Sequence, residues 1–346
     1  MRQIRTTLHA NGRNGHASAK PQAGSVVLRP GTLHHITTAL KKQWRRYRKE
    51  LKRCQEDFSA EAVHDSRVET RRLLSLIGLL SPLLAVKHAR KTQALLKDHL
   101  DTFDALRDTQ VHLQAISKLV KRFSAAVAFC NYLRKKEKRL GRQTRKRIKC
   151  VKTKRLERLI AAARDGLKKW RKQYPPQAAN ALLLGVIHAA FARTQRLRDQ
   201  ISPEDTKTIH CTRIAFKKFR YMVEILAAHL KPVDKKLLNA MHRYQARMGD
   251  IQDAEVLLRS WKKFLKAAGT TSESSRAFET ELRRCRQDLI CDYMATADQL
   301  SEFWPVEAVS ASRARPERRA MVRGRVGGRI RALRPASQGD SKKDIQ

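Results

Sequence analysis

The sequence predicts an all-α protein: two pseudo-symmetric four-helix bundles built from a duplicated helical module, with disordered basic termini. Three observations carry that expectation. Between residues 32 and 303 apolar residues recur at helical spacing, with few Gly or Pro and no alternating strand-like runs. The rare breakers cut this stretch into pieces of helix length. One pattern, apolar-His-x-x-Arg-apolar-x-x-basic-basic-apolar, occurs twice.

Taken in chain order, residues 1–30 form a disordered basic arm that ends at Pro30-Gly31. The first acidic residue is Glu50. An acid-free start containing Arg and Ser can be an organelle transit peptide, but Asn11-Gly12 and Asn14-Gly15 favour turns and hence a floppy arm. Helices are expected over about 32–55, 60–81, 87–120 and 124–172 in module one (about 32–172). Module two (about 177–304) should hold helices over 178–200, 204–230, 234–267 and 276–303. Ser59 is placed to cap the second helix and Pro82 to end it. Tyr174-Pro175-Pro176 divides the modules. Ser202-Pro203-Glu204-Asp205 offers a cap, a first-turn Pro and first-turn acids. Pro232 marks another stop, Gly269 opens a polar loop that runs to Ser275, and Trp304-Pro305 closes the 31–305 domain. From 306 to 346 the chain is an Arg/Gly-rich tail lacking the large apolar residues a core requires.

The repeat aligns Val63-His64-Asp65-Ser66-Arg67-Val68-Glu69-Thr70-Arg71-Arg72-Leu73 with Ile209-His210-Cys211-Thr212-Arg213-Ile214-Ala215-Phe216-Lys217-Lys218-Phe219. Downstream, Phe103-Asp104-Ala105-Leu106-Arg107-Asp108 aligns with Met248-Gly249-Asp250-Ile251-Gln252-Asp253. Two matches in the same order imply duplication of a whole module. In the second copy Ile209, Thr212, Phe216, Phe219, Val223, Leu226 and Leu230 make one buried stripe. One residue further on, His210, Arg213, Lys217 and Arg220 form a basic row along its flank, because each residue turns about 100°. Lys218 and Tyr221 widen it. His64, Arg67 and Arg71, flanked by Arg72, repeat the row in the first copy, with Leu74 where the second has Arg220. That difference predicts a weaker far end in module one. Like charges at this spacing repel, so the row suits an extended anion with regularly spaced charges.

Composition agrees. Lys and Arg number 75 against 32 Asp and Glu, a formal net charge of +43, which calls for an anionic partner. The hydrophobic fraction of 41% supports a packed core. Cys54, Cys130, Cys150, Cys211, Cys285 and Cys291 contain no Cys-x-x-Cys pair, which points to free thiols in a reducing compartment and to no structural metal. The apolar stretch 73–86 is too short and too interrupted to span a bilayer. No catalytic triad, Walker loop or metal-binding acidic cluster is visible. Asp108 and Asp253 match in position and read as carboxylates orienting an Arg or Lys of the repeated helix, with acid/base catalysis as the alternative.

The two His-x-x-Arg segments, with Arg71-Arg72, Lys217-Lys218, Arg220-Tyr221-Met222-Val223-Glu224, Arg107-Asp108 and Met248-Gly249-Asp250, resemble the signature helices of the CHAD domain (conserved histidine α-helical domain) over about 32–305. The resemblance implies a non-catalytic protein binding inorganic polyphosphate in a basic groove, without cofactor or metal. It also implies a cytoplasmic place at polyphosphate granules and association with triphosphate-tunnel (CYTH-type) enzymes, here necessarily a separate protein. His64, Arg67, Arg71, Arg72, His210, Arg213, Lys217, Lys218 and Arg220 would contact phosphate oxygens, with Arg45, Arg48 and Arg193 completing the groove. The alternative is a basic RNA- or DNA-binding protein. Against single strands stands the low aromatic content, 6%, most of it at core spacing.

Overall fold

The computed structural model describes residues 26–117, 119–269 and 272–305. Helices α1 (Thr32–Glu56), α2 (Ala60–Leu80), α3 (Val86–Ile116), α4 (Ser124–Lys149) and α5 (Lys154–Gln173) make the first module. The second comprises α6 (Pro176–Arg198), α7 (Thr206–Leu226), α8 (Lys235–Ala268) and α9 (Glu273–Met294), followed by a 3₁₀ stretch, Ala297–Phe303. The all-α expectation holds. Strand content among the described residues is one two-residue antiparallel pairing, Val27–Leu28 with Leu230–Lys231. This pairing corrects the expected limit of the arm: Val26 and Leu28 are buried, so the chain is tied down before Pro30. Residues 1–25 and 306–346, expected as arm and tail, lie outside the described residues.

Local chemistry explains most helix ends. The Ser59 side chain accepts from the Ala62 N–H, and Asp234 accepts from Leu237 N at 2.7 Å, each satisfying a donor that a helix start leaves open. Gly269 ends α8 with a left-handed φ of 66°. One start differs from expectation. The cap of α7 is Asp205, accepting from Lys207 N, while Ser202 Oγ donates to Glu204. Thr208 hydrogen-bonds Ser202 and so holds the preceding turn outside the helix.

The larger correction is the break in the long helix expected over 124–172. Nothing between Cys150 and Thr153 is a breaker. The cause is tertiary: Gln55 on α1 donates to both Ile148 O and Val151 O, at 2.9 and 3.1 Å, capping carbonyls that a helix end exposes. The turn folds α5 back onto α1 and α3, burying Leu156, Ile160, Ala163 and Leu167.

Two apolar cores result. The central core joins both modules through α1, α2, α6 and α7, with Leu40, Ile77, Phe191, Phe216 and Phe219 fully buried. The distal core joins the far ends of the long hairpins: Ile116, Phe129 and Leu133 pack with Leu258, Trp261 and Phe278. Phe129 meets Trp261 edge-on at 5.2 Å between ring centroids, a favoured aromatic geometry. On α3 and α8 the stretches between the two cores carry Arg107 with Asp108 and Gln252 with Asp253. Across from them lie the starts of α2 and α7.

Candidate functional site

Helices α2 and α7 pack against each other, with Gly78 admitting Met222 of α7 at 3.7 Å from where a side chain would begin. This contact brings the two predicted rows together. Arg67 and Arg71 from α2 and Arg213 and Lys217 from α7 act electrostatically on one another as a single cluster. Every charge acting strongly on Lys217 is positive: Arg71, Arg213, Arg67 and Arg220. Burial first, then these guanidiniums, push its ammonium from 10.5 down to about 7. Burial also lowers Arg71, with Arg67 adding to the effect.

The histidines flank the cluster. Burial, then Arg107, lowers His64; burial, then Arg213 and Arg259, lowers His210. Both rings therefore favour the neutral form in the free protein. His210 Nδ1 and Arg213 Nε are buried nitrogens without a hydrogen-bond partner among the described residues. Five further buried side-chain nitrogens elsewhere among the described residues are unpaired too, so what sets these two apart is their place beside the cationic cluster.

The modules treat equivalent arginines differently. Arg67, 5% exposed, is held by Asp104 Oδ1 at 2.9 Å and by Leu100 O at 3.2 Å. Gly249 stands at the position equivalent to Asp104, and a Cβ there would meet Arg213 Nε and Nη2 at 3.5 Å. Arg213 thus has backbone space where Arg67 has a carboxylate. Asp104 does the orienting expected of Asp108. Burial raises both Asp108 and Asp253, the latter to about 6, and Asp253 lies within the field of Arg213. Among the described residues no group of three His, Cys, Asp or Glu side chains could hold a metal ion.

Several predicted contacts are held by other partners or lie elsewhere. Arg220 is buried and hydrogen-bonded to Glu224 and to Gln245, the latter at 2.9 Å, with its guanidinium over Tyr221. Arg213 and Arg220 are seven residues apart, about 700° and so within about 20° of two turns, which keeps Arg220 on the same flank; its guanidinium is held there by Glu224 and Gln245. Arg220 still acts on Lys217 through its charge, and Leu74 leaves module one without the equivalent cation. Arg72 pairs with Glu69 at 2.7 Å. Lys218 and Arg193 line a separate groove between α6 and α7, about 390 Å³, with Ile214 and Met222. Arg48 pairs with Glu157 of α5 at 3.2 Å, and Arg45 is exposed on α1.

The sequence reading did not single out Lys136, Arg139, Arg259 and Lys263. Lys136 is lowered by burial, then by Lys263 and Arg139, so the positive region continues along α4 and α8. In a chain this basic, no local pattern separates these four from solvated lysines and arginines. Beyond them the exposed face of α4 carries a concavity of about 720 Å³ lined by Arg139, Arg142, Gln143, Arg145, Lys146 and Lys149. No helix among the described residues is long and apolar enough to cross a membrane.

A family profile described as the CHAD domain matches residues 38–262. The chain also resembles the crystal structure of the CHAD domain from the plant Ricinus communis. Identity is 17% with a TM-score of 0.56, covering 87% of this chain and 99% of that one. It is similar to PptA from Streptomyces chartreusis, also at 17% identity, with a TM-score of 0.53 and coverage of 78% and 98%. No curated protein sequence matches the chain. At these identities the two structures speak to the fold.

Proposed function

Because the chain belongs to the CHAD-domain family, we propose that it binds inorganic polyphosphate without catalysis, in the cationic trough between α2 and α7. The single observation carrying this reading is Lys217, surrounded by guanidiniums and having no carboxylate partner among the described residues. A phosphate chain supplies several negative charges in a narrow, unbranched form and offers acceptors to Arg213 Nε and His210 Nδ1. His64, Arg67, Arg71, His210, Arg213 and Lys217 contact the chain, and Arg220 contributes charge from behind. Arg72, Lys218, Arg45, Arg48 and Arg193 guide the polymer toward the trough. On this reading the place of action is the cytoplasm, at polyphosphate granules, and a triphosphate-tunnel enzyme is a candidate partner.

The test is titration with polyphosphate of defined lengths, wild type against Arg213→Ala/Lys217→Ala. The double variant should bind at least about tenfold more weakly, since each charged hydrogen bond contributes about 1.5–3 kcal/mol. Equal affinity would exclude the trough. The logarithm of affinity should fall with the logarithm of salt concentration at a slope of about −0.7 per neutralised phosphate, by analogy with single-stranded nucleic acid.

One observation favours a second reading. No ion pair joins Arg139, Arg142, Arg145, Lys146 or Lys149 to a carboxylate among the described residues, whereas Arg283 and Arg284 of neighbouring α9 are paired with Glu279 and Glu281. An open basic helix face such as that of α4 suits a duplex. RNA or DNA that displaces long-chain polyphosphate at equal phosphate concentration and physiological salt would favour this reading.

A further inference from the structure

We infer that the groove between α6 and α7 is a docking site for an acidic amphipathic helix of another protein. The groove lies apart from the α2–α7 trough, so the inference stands independently of the polyphosphate reading. Its volume is about 390 Å³. Val186 and Ala190 of α6 and Ile214, Ala215 and Met222 of α7 line it with apolar surface, and the exposed cations Arg193 and Lys218 border it. Two large apolar side chains face solvent here: Ile214 is 54% exposed, and Leu182, one helical turn before Val186, is 42% exposed.

The internal repeat shows what this groove lacks. In module one the positions equivalent to Cys211, Ala215 and Lys218 hold Asp65, Glu69 and Arg72. There the flank of α2 is closed from within. Asp65 pairs with Arg53 of α1 at 3.0 Å. Glu69 is buried, accepts from Gln43 of α1 at 2.6 Å and pairs with Arg72 at 2.7 Å. In module two Cys211 and Ala215 replace both carboxylates, and among the described residues neither Arg193 nor Lys218 has an ion pair. Alanine at the place of Glu69 leaves an apolar hollow and a cation without its anion. The matching occupant brings apolar side chains and carboxylates together.

An acidic amphipathic helix does so. From Cys211 to Met222 the groove follows α7 for about 16 Å, or about three turns. A helix laid along it sets apolar anchors at i, i+4 and i+7 against the lining, with Asp or Glu beside them for Arg193 and Lys218. Polyphosphate has no apolar surface to place against Ile214. The chain's own parts also fit poorly: residues 306–346 are Arg-rich, and a second copy brings a charge of +43. Lys218 is turned by about 100° from Lys217, so a docked helix leaves the trough free. The protein then holds a partner and a polyanion on two flanks of α7.

The probe is a stapled peptide helix of about 15 residues, with Leu at i, i+4, i+7 and i+11 and Glu flanking that stripe. Its binding to the full-length protein is read by fluorescence anisotropy at physiological salt. A peptide of the same charge with Ser in place of Leu measures the attraction of any acidic chain to so basic a protein. The Leu peptide should bind at least about tenfold more tightly than the Ser peptide, because its anchors bury apolar area. Ile214→Ser, at an exposed position, should abolish that preference and leave polyphosphate affinity unchanged. Ala215→Glu, which restores the module-one carboxylate beside Lys218, should also abolish it in protein shown to be folded. Equal binding of the two peptides overturns the proposal, as does a preference that survives Ile214→Ser. Self-association that is lost in Ile214→Ser assigns the groove to a second copy and overturns it too. So does tighter binding by a peptide of residues 306–346 than by the acidic helix.

Discussion

Replacing Lys217 by Met should make the free protein more stable and the polyphosphate complex weaker. Methionine keeps an unbranched stem of similar length and removes the ammonium. In the folded chain that ammonium titrates at about 7 against an ordinary 10.5. The difference amounts to about 5 kcal/mol, of which about 4 kcal/mol acts at pH 7. Counterions at physiological salt screen charges over about 8 Å, leaving an expected gain of about 2–4 kcal/mol. For a domain of this size that corresponds to a rise in Tm of about 4–12 °C. The direction with pH follows. Between pH 7 and 10.5 the unfolded chain holds a proton that the folded chain has released, so the penalty shrinks as pH rises. Wild type and variant should therefore converge in stability toward alkaline pH. Thermal unfolding from pH 6 to 10 without polyanion, together with polyphosphate titration at pH 7, reads both effects. A variant that melts lower than wild type at pH 7, or binds polyphosphate equally well, would refute the assignment of Lys217 to an unneutralised cationic site.

Polyphosphate binding should take up protons, because a bound anion raises the lowered Lys217, His64 and His210. Affinity then falls as pH rises from 6 to 9; Lys217→Met should flatten the profile above pH 7 and His64→Ala/His210→Ala below it. A profile unchanged in both variants refutes the proton linkage. Gly249→Asp should give Arg213 the partner Arg67 already has and weaken binding about tenfold, roughly one charged hydrogen bond. Gly249→Asn is the control, and equal loss in both would trace the effect to space rather than charge. Gln55→Ala should destabilise the fold by about 1–3 kcal/mol through the uncapped carbonyls of α4, leaving polyphosphate affinity unchanged; chemical denaturation measures this.

Much of the architecture was legible because both helix classes repeat. Ile209, Thr212, Phe216, Phe219, Val223 and Leu226 are all buried, as the stripe of α7 required. The duplicated motif matched His64, Arg67 and Arg71 with His210, Arg213 and Lys217 as equivalent positions of a repeat. What escaped the sequence depends on long-range contacts. The turn at Cys150 is set by Gln55 on another helix. The role of Asp104 emerges only when α3 lies beside α2. Arg220 keeps the flank of Arg213, but Gln245 of another helix and Glu224 hold its guanidinium. Lys218, one residue from Lys217, is turned by about 100° to a different groove.

The arrangement of the cores explains how the fold tolerates its own site. The cations Arg67, Arg71, Arg213 and Lys217 repel one another where α2 and α7 start, with Asp104 pairing Arg67. The central core binds these helices on one side, with Leu73, Ile77, Phe216 and Phe219 fully buried. The distal core ties the hairpins together on the other, through Phe129, Trp261 and Phe278. Apolar burial contributes about 25 cal/mol per Å², so two large aromatic clusters can offset a repulsion of a few kcal/mol held between them. A less charged trough would be easier to fold and would attract a polyanion less. The unequal treatment of Arg67 and Arg213 fits the same balance: Asp104 pairs with one arginine, while Gly249 puts no carboxylate at the equivalent place beside the other. On the proposed reading a polymer would meet one arginine fixed by a carboxylate at 2.9 Å, Arg67, and one, Arg213, that has Asp253 only within its field. Its tightest contacts should form on the α7 side, where binding relieves the larger strain.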